Sequence, residues 1–435
     1  MSSKEKSSAV AGSGAALVPK LRFPEFEERD GWKEIPLQKL ARPVTDRATT
    51  GDADNVLSLS GEHGLVLQSE YFGKKIAGDS TDRYLKIRKD DFVYNDRTTK
   101  ASSFGTIKRL SAHAGGIVSP IYKCFRFQSS ENPAFWEWYF ESGSHDPALG
   151  GLVNEGARAG RFNISVTQFL STSAWRPDEA EQKKIADCLD SADALISAQG
   201  RKVEALRAHK KGLMQQLFPR PERVENGIKI PAETQPRLRF PEFEGAGEWE
   251  PRTVGSVCTS FSGGTPNTSN PEFYGGDIPF IRSAEIGKET TELFLTRAGL
   301  ENSAAKLVKK GDVLVALYGA NSGDVAIGRI AGAINQAILC LRSSENGAFL
   351  SHFLTHRKDW IIAKYIQGGQ GNLSGEIVKS IGLVFPSPTE QQRIADCLTS
   401  LDDLIAAETR KLDTLKTHKK GLMQQLFPQV AEDDA

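Results

Sequence analysis

The sequence predicts an α+β fold. Two mixed α/β globular parts are each followed by a long helix, and the two helices fold back antiparallel as an intramolecular coiled coil. Three observations carry this expectation. The stretch Glu181–Pro219 returns as Glu390–Pro428, with about two-thirds of paired positions identical and no gap. Both copies place apolar residues at alternating steps of three and four, the spacing of a coiled-coil seam. Further strings upstream of each copy repeat in the same order, so the chain is two whole units in tandem.

Residues 1–20, rich in Ser, Ala and Gly, read as a disordered tail whose apolar part is too short and broken for a signal peptide. The first globular part covers 21–176 and opens on Leu21–Phe26, LRFPEF, followed by Trp32. Within it Asn55–Leu59, Asp91–Asn95, Thr106–Leu110 and Ile121–Phe127 read as strands between polar or Gly-rich turns. Asn132–Ser142 reads as a helix with Asn132 as its cap and Pro133 in its first turn.

Helix one is assigned to 177–219, with Pro177 just before its start and Pro219 as its stop. Its seam runs through Leu189, Ile196, Val203, Leu206 and Leu213. A linker, 220–237, has several prolines and no periodicity. The second globular part, 238–386, opens on the same LRFPEF at Leu238–Phe243, followed by Trp249. Ile278–Arg282, Asp312–Tyr318, Ala326–Arg329 and Ala337–Arg342 read as strands, and Ala348–Ile366 as a helix. Helix two, 387–428, repeats the seam at Leu398, Leu401, Ile405, Leu412, Leu415 and Leu422. Residues 429–435 form a short acidic tail.

The polar seam residues Gln199, Glu408, Lys210 and Lys419 are placed to fix the register of the pair. Gly212 and Gly421 each cost a helix about 1 kcal/mol against alanine. Their presence in both copies points to close backbone contact, within the pair or with another subunit. Two more strings repeat: Ser129–Trp136, SSENPAFW, against Ser343–Leu350, SSENGAFL, and Asn163 in GRFNIS against Asn372 in GQGNLS.

With 435 residues the chain has sequence for two or three domains with proper cores. Charged residues make up 25% and hydrophobic residues 39%, the balance of a soluble protein. No apolar run approaches a membrane span. The cysteines Cys124, Cys188, Cys258, Cys340 and Cys397 form no CxxC pair and read as reduced thiols of a cytoplasmic protein. A formal net charge of zero argues against strong non-specific nucleic-acid binding by the chain alone, without excluding a local basic face.

Enzyme motifs are absent or weak. Asn132-Pro133-Ala134-Phe135 is similar to the Asn-Pro-Pro-aromatic motif of adenine methyltransferases, but its counterpart Asn346-Gly347-Ala348-Phe349 lacks the proline. What both copies keep is a helix start. His352 and His356 lie four apart with no Glu after the first, so they do not make a metalloprotease pattern. No Walker loop or nuclease-like carboxylate cluster stands out.

These residues resemble a known family, the specificity (S) subunits of type I restriction-modification systems. The resemblance rests on the tandem order of variable part and long helix. It rests also on the shared KKGLMQQLFP endings at Lys210–Pro219 and Lys419–Pro428, and on Gly263–Phe280, GGTPNTSNPEFYGGDIPF, which is similar to the opening of a target-recognition domain. It implies that each variable part reads one half of a bipartite site in double-stranded DNA, while the helices hold the readers apart and set the unread spacer. Two methyltransferase (M) subunits would dock around the helices and methylate adenine at N6 with S-adenosylmethionine. Motor-nuclease (R) subunits would add ATP- and Mg-dependent translocation and cleavage. The chain itself would hold no cofactor and no catalytic residue, and would work in a bacterial or archaeal cytoplasm, away from any membrane.

For reader one the candidate DNA contacts are Tyr94, Asn95, Arg97 and Lys100 in a polar stretch after a strand. Lys108, Arg109, Arg158 and Arg161 are candidates for phosphate. For reader two they are Thr265, Asn267, Ser283, Tyr318, Asn321, Gln370 and Asn372. Asn163 and Asn372 also admit a structural role, because they recur in readers meant for different bases. Two rival readings remain at this stage: a non-catalytic two-lobed coiled-coil scaffold, and the specificity partner of a methylation-only defence complex.

Overall fold

The computed structural model describes residues 17–49, 52, 55–73, 81–98, 102–152, 163–366 and 372–428. It divides into two compact units: Met1–Ala198 with Leu412–Ala435, and Gln199–Lys411. Compactness therefore cuts across the tandem repeat. Unit one takes the first part of helix one and the last part of helix two, and unit two takes the remainder of both.

In unit one the elements are β1 (Lys33–Pro36), β2 (Ala41–Pro43), β3 (Val56–Ser60), β4 (Gly64–Leu67), α1 (Gln68–Phe72), β5 (Leu85–Arg88), β6 (Phe92–Asn95), β7 (Thr106–Arg109), β8 (Gly115–Val118) and β9 (Lys123–Phe127). After them come α2 (Pro133–Glu141), α3 (Asp146–Gly150), α4 (Val166–Ser171), β10 (Ser173–Arg176) and the long α5 (Glu179–Leu217). Two sheets of order β2-β9-β6-β7 and β4-β3-β8-β5 form the body, with a β1-β10 ribbon beside them. Among the described residues every pairing in this unit is antiparallel except β3 with β8.

Unit two contains β11 (Arg223–Glu225), β12 (Ile228–Ile230), β13 (Glu250–Thr253), α6 (Val254–Val257), β14 (Cys258–Ser262), β15 (Tyr274–Ile281), β16 (Phe294–Leu295), α7 (Arg297–Glu301), β17 (Lys306–Val308), β18 (Val313–Ala316) and β19 (Val325–Ile327). It continues with β20 (Gly332–Ile334), β21 (Ile338–Ser343), α8 (Gly347–Tyr365), α9 (Gly375–Ser380), β22 (Gly382–Phe385) and the long α10 (Pro388–Leu426). Its sheets, β14-β21-β18-β19 and β16-β15-β20-β17 with a β13-β22 ribbon, repeat the topology of unit one. The parallel pairing of β15 with β20 falls in the equivalent place.

The repeated strings meet at the start of each long helix. Arg22 of the first LRFPEF donates from Nε and Nη2 to Glu181 at 2.9 and 2.7 Å, and the Trp32 indole donates to the same carboxylate at 3.2 Å. Arg239 of the second LRFPEF makes the same fork to Glu390, with both bonds at 2.7 Å. One position on, Gln182 accepts from the Asn132 backbone N–H and donates to Glu131, both at 3.0 Å. Gln391 does likewise with Asn346 and Glu345, at 3.1 and 2.8 Å. Asn132 and Asn346 cap α2 and α8 through their side chains, so the methyltransferase-like string is a helix start.

The helix ends close the cores. In unit one Phe427, after the last turn of α10, sits 6.1 Å from Trp32 and 5.7 Å from Phe135. In unit two Phe218, after the last turn of α5, stacks on Phe353 at 4.5 Å. Within unit two Gln199 reaches Glu408 at 2.6 Å and Lys210 reaches Asp402 at 2.5 Å, so the paired helix segments run in opposite directions. In unit one Lys419 pairs with Asp193, the repeat equivalent of the Lys210–Asp402 contact. Of the seam residues Val203 is buried, Leu189 and Leu398 are buried in the cores of unit one and unit two, and Ile196, Leu206, Leu213, Leu401, Ile405, Leu412, Leu415 and Leu422 are half-buried.

Two expectations need correction. A Cβ at Gly212 or Gly421 would meet only open space, so neither glycine permits a close helix approach within the chain. The linker also carries structure: β11 and β12 pair across Asn226-Gly227, both at positive φ (51° and 79°). That is the two-residue hairpin turn that an Asn-Gly dipeptide favours. Among the described residues no helix is long and apolar enough to cross a membrane.

The exchange of helix ends has a measurable consequence. Phe427→Ala is expected to remove about 3–5 kcal/mol from unit one. Hydrogen exchange should show lost protection around Trp32 and Phe135, with β18 of unit two unchanged.

Candidate functional site

The register of the strands makes β6 and β18 equivalent: Phe92 pairs with Phe125, and Val313 with Leu341. Arg97 and Tyr318 therefore occupy the same place, second after the strand. Arg97 is exposed, and its backbone N–H donates to Asn95 Oδ1 at 3.3 Å. Tyr318 is 39% exposed and leads into the Gly319–Asn321 turn. Both loops rest on the same kind of segment. Ile164 N–H donates to Asp96 Oδ2 at 3.2 Å, and Leu373 N–H to the Leu317 carbonyl at 2.9 Å. Asn372 Oδ1 accepts from Gly319 N–H at 3.5 Å, while Asn163 adopts φ 53°. Asn372 therefore bonds to its loop directly, while Asn163 adjoins Ile164, which bonds to Asp96 of its loop.

In unit one the loop opens on a cleft of about 530 Å³ whose lining includes Asn95, Arg97, Ser102, Ser103, Lys108 and Asp146. Burial raises the Asp146 carboxyl above its ordinary value. Ser102 and Ser103 belong to the same β6–β7 connection as Arg97, and Asp146 is brought there from α3; nothing local in the sequence marks any of the three.

Several expected contacts are withdrawn. Tyr94 is fully buried, and its hydroxyl donates to the Phe104 carbonyl at 2.9 Å. Lys108 is held by Glu141 at 2.9 Å. Arg109 lies between Glu137 at 2.7 Å and Asp90 at 3.1 Å. These two cations neutralise acids on and near α2 and are not free for an outside anion. Lys100, Arg158, Arg161 and Gln370 lie outside the described residues.

In unit two Asn321 closes the turn after Tyr318. Thr265 donates to Gln336 at 2.7 Å, which sets it against the β20–β21 turn. Asn267 Oδ1 accepts from Ser269 N–H at 3.0 Å, and Ser283 opens the short turn Ser283–Glu285. His352 packs against Thr399 at 3.1 Å, and burial, then the charge of Lys210, pushes its pKa down to about 4. No group of three or more metal-binding side chains occurs among the described residues.

Comparison with known proteins bears on what such a pair of loops is for. Residues 246–417 match the family model described as the type I restriction modification DNA specificity domain. The chain is 26% identical over 273 residues to the type I restriction enzyme MjaX specificity subunit of Methanocaldococcus jannaschii, covering 61% of this chain and 60% of that one. It is 26% identical over 180 residues to the EcoR124I/EcoR124II specificity subunit of Escherichia coli, covering 39% and 44%. The matched stretch spans less than two-thirds of each relative. In fold, the chain resembles the crystal structure of an S subunit from M. genitalium, with TM-score 0.59 at 13% identity over 95% of this chain and all of the other. A chain from a type I restriction-modification assembly gives TM-score 0.53 at 17% identity, covering 92% and 98%. Residues 246–417 are thus similar to a type I restriction modification DNA specificity domain, and the fold resembles that of the solved S subunit.

The ion pairs at Arg109 make a separate prediction. Burial raises the Glu137 carboxyl, and Arg109 opposes that rise. Arg109→Met is expected to cost about 1–3 kcal/mol by leaving a largely buried acceptor without its partner. The loss, read by urea unfolding, should be largest near neutral pH and shrink as the pH falls, because a protonated Glu137 has no ion pair to lose.

Proposed function

We propose that this chain is the DNA sequence-specificity subunit of a type I restriction-modification complex, in which each unit reads one half of a bipartite site. The observation that carries this reading is the pair of equivalent loops. The same strand end and the same asparagine-bearing support present Arg97 in one unit and Tyr318 in the other. One scaffold with different side chains at the same place is what two readers of different half-sites require. Arginine suits bidentate contact with a base edge, whereas tyrosine suits stacking, apolar contact or a single hydrogen bond. The chain contributes no catalytic group in this reading.

The long helices then act as a coiled-coil spacer between the readers and as the seat of two methyltransferase subunits. Each helix has 39 residues, roughly 58 Å at about 1.5 Å per residue. An exposed face supports the docking role. Asp187, Ser191, Leu195, Ala198, Lys202 and His209 are exposed and identical to Asp396, Ser400, Leu404, Ala407, Lys411 and His418, which are also exposed. The rest of the outer surface varies more, with Lys184 matched by Arg393, Asp190 by Thr399 and Arg207 by Lys416. Folding alone does not require exposed residues to match, so this shared subset of the outer face fits two copies of one partner. S-adenosylmethionine would be held by those partners, and ATP and Mg by motor-nuclease subunits where the system cleaves.

Methylome sequencing of cells with and without this chain tests the reading. A bipartite N6-methyladenine motif that vanishes on deletion is expected; an unchanged methylome would refute it. Arg97→Ala is expected to weaken binding of the complex to the first half-site by about 1–3 kcal/mol, with the second unaffected. Competition binding against half-site variants checks this, and an equal loss on every sequence would remove Arg97 from base reading.

A further inference from the structure

One surface feature recurs in both units although the reading loops do not match. The turn Arg88-Lys89-Asp90-Asp91 joins β5 to β6, and Lys309-Lys310-Gly311-Asp312 joins β17 to β18. Asp91 and Asp312 each accept the backbone N–H of the first cation through Oδ2, at 2.8 Å in both cases. Each returns its own N–H to that residue's carbonyl, at 3.0 and 3.1 Å. The third residue is at positive φ in both, 70° for Asp90 and 97° for Gly311. Its N–H reaches the carbonyl of Leu110 or Gly328, at 2.9 Å in each. An arginine from the neighbouring strand saturates the aspartate: Arg126 at 2.5 and 2.7 Å, Arg342 at 3.0 and 3.1 Å.

Because the aspartate is committed, it offers the basic pair no counter-charge. Arg88, Lys89, Lys309 and Lys310 are exposed and take part in no ion pair among the described residues. In unit one the pair lines a cleft of about 720 Å³ together with Arg42, also exposed, and Arg126. Four like-charged side chains are thus held out by two turns of the same geometry, on a chain whose formal net charge is zero. A contact kept where the readers otherwise differ must meet something that both half-sites share. In a duplex that is the phosphate backbone, not the bases.

We propose that these twin basic turns are the sequence-independent phosphate contacts of the two readers, one pair per half-site. This rests on the DNA-specificity reading above. It also replaces Lys108 and Arg109, whose charges are spent within unit one.

The test uses the full chain assembled with its methyltransferase partner and a labelled duplex carrying the motif found by methylome sequencing. Affinity is measured across a salt series for the wild type, R88Q/K89Q, K309Q/K310Q and the fourfold variant. The side chains make no described bond, so the turns keep their backbone geometry; thermal melting checks this. Each pair is expected to lower the slope of log affinity against log salt by about 2, and the fourfold variant by about 4. The ratio of cognate to scrambled DNA should stay constant. An unchanged slope in a complex that still binds selectively overturns the phosphate role and leaves the specificity reading intact. A loss confined to one sequence also overturns it, in favour of base contact. If the wild-type complex shows no sequence-selective binding, the specificity reading fails and takes the proposal with it.

Discussion

A buried arginine–glutamate fork at the start of each long helix is the constraint on which the rest depends. Glu181 and Glu390 have almost no exposed side-chain surface, and a carboxylate in that position is costly without full partnering. Arg22 and Arg239 supply it bidentately, from segments far away in sequence. The fork seats the helix on the opening segment of its unit, and the adjacent glutamine seats it on α2 or α8. Those helices back the sheets, so the strand ends that carry Arg97 and Tyr318 inherit their position from this junction.

The frame and the reading surface therefore obey different rules. At the frame, Arg–Glu, Gln–Glu and Asn caps recur as near copies, because a change in one partner strands the other in a dry site. At the loop tips, Arg97 and Tyr318 are exposed, and among the described residues neither side chain has a hydrogen-bond or ion-pair partner. Under the specificity reading proposed above, that separation would let the target change without refolding. The basic turns lie between the two regimes: their backbone is locked like the frame, while their charges face outward like the loops.

Much of the frame was legible because its signals are local or duplicated. Heptad spacing marked the helices to within a few residues, since the buried positions of a helix lie on the helix itself. LRFPEF, SSEN and the Glu-Gln start were visible as repeats, but their mutual contact was not, because each hydrogen-bonds to a segment remote in sequence. Lys108 and Arg109 looked free since their acids, Glu137 and Glu141, sit on a helix folded back over β7. Tyr94 was misplaced because a polar stretch follows it directly; the burial pattern of β6 draws the ring inward instead. The ribbon strands were missed through shortness, with Pro36 and Pro251 inside them. The Asn226-Gly227 hairpin was readable in principle and was masked by the surrounding prolines.

The junctions also determine how the polypeptide closes. Leu21 N–H donates to the Gln425 carbonyl at 2.9 Å, and Leu238 N–H donates to the Gln216 carbonyl at 3.0 Å. The first bond lies within unit one and the second within unit two, so each opening segment is clipped to the last turn of the long helix that ends in its own unit. Each repeat's entry is thus anchored by the final turn of the other repeat's helix, and truncating either helix by one turn would unfasten the start of the opposite repeat.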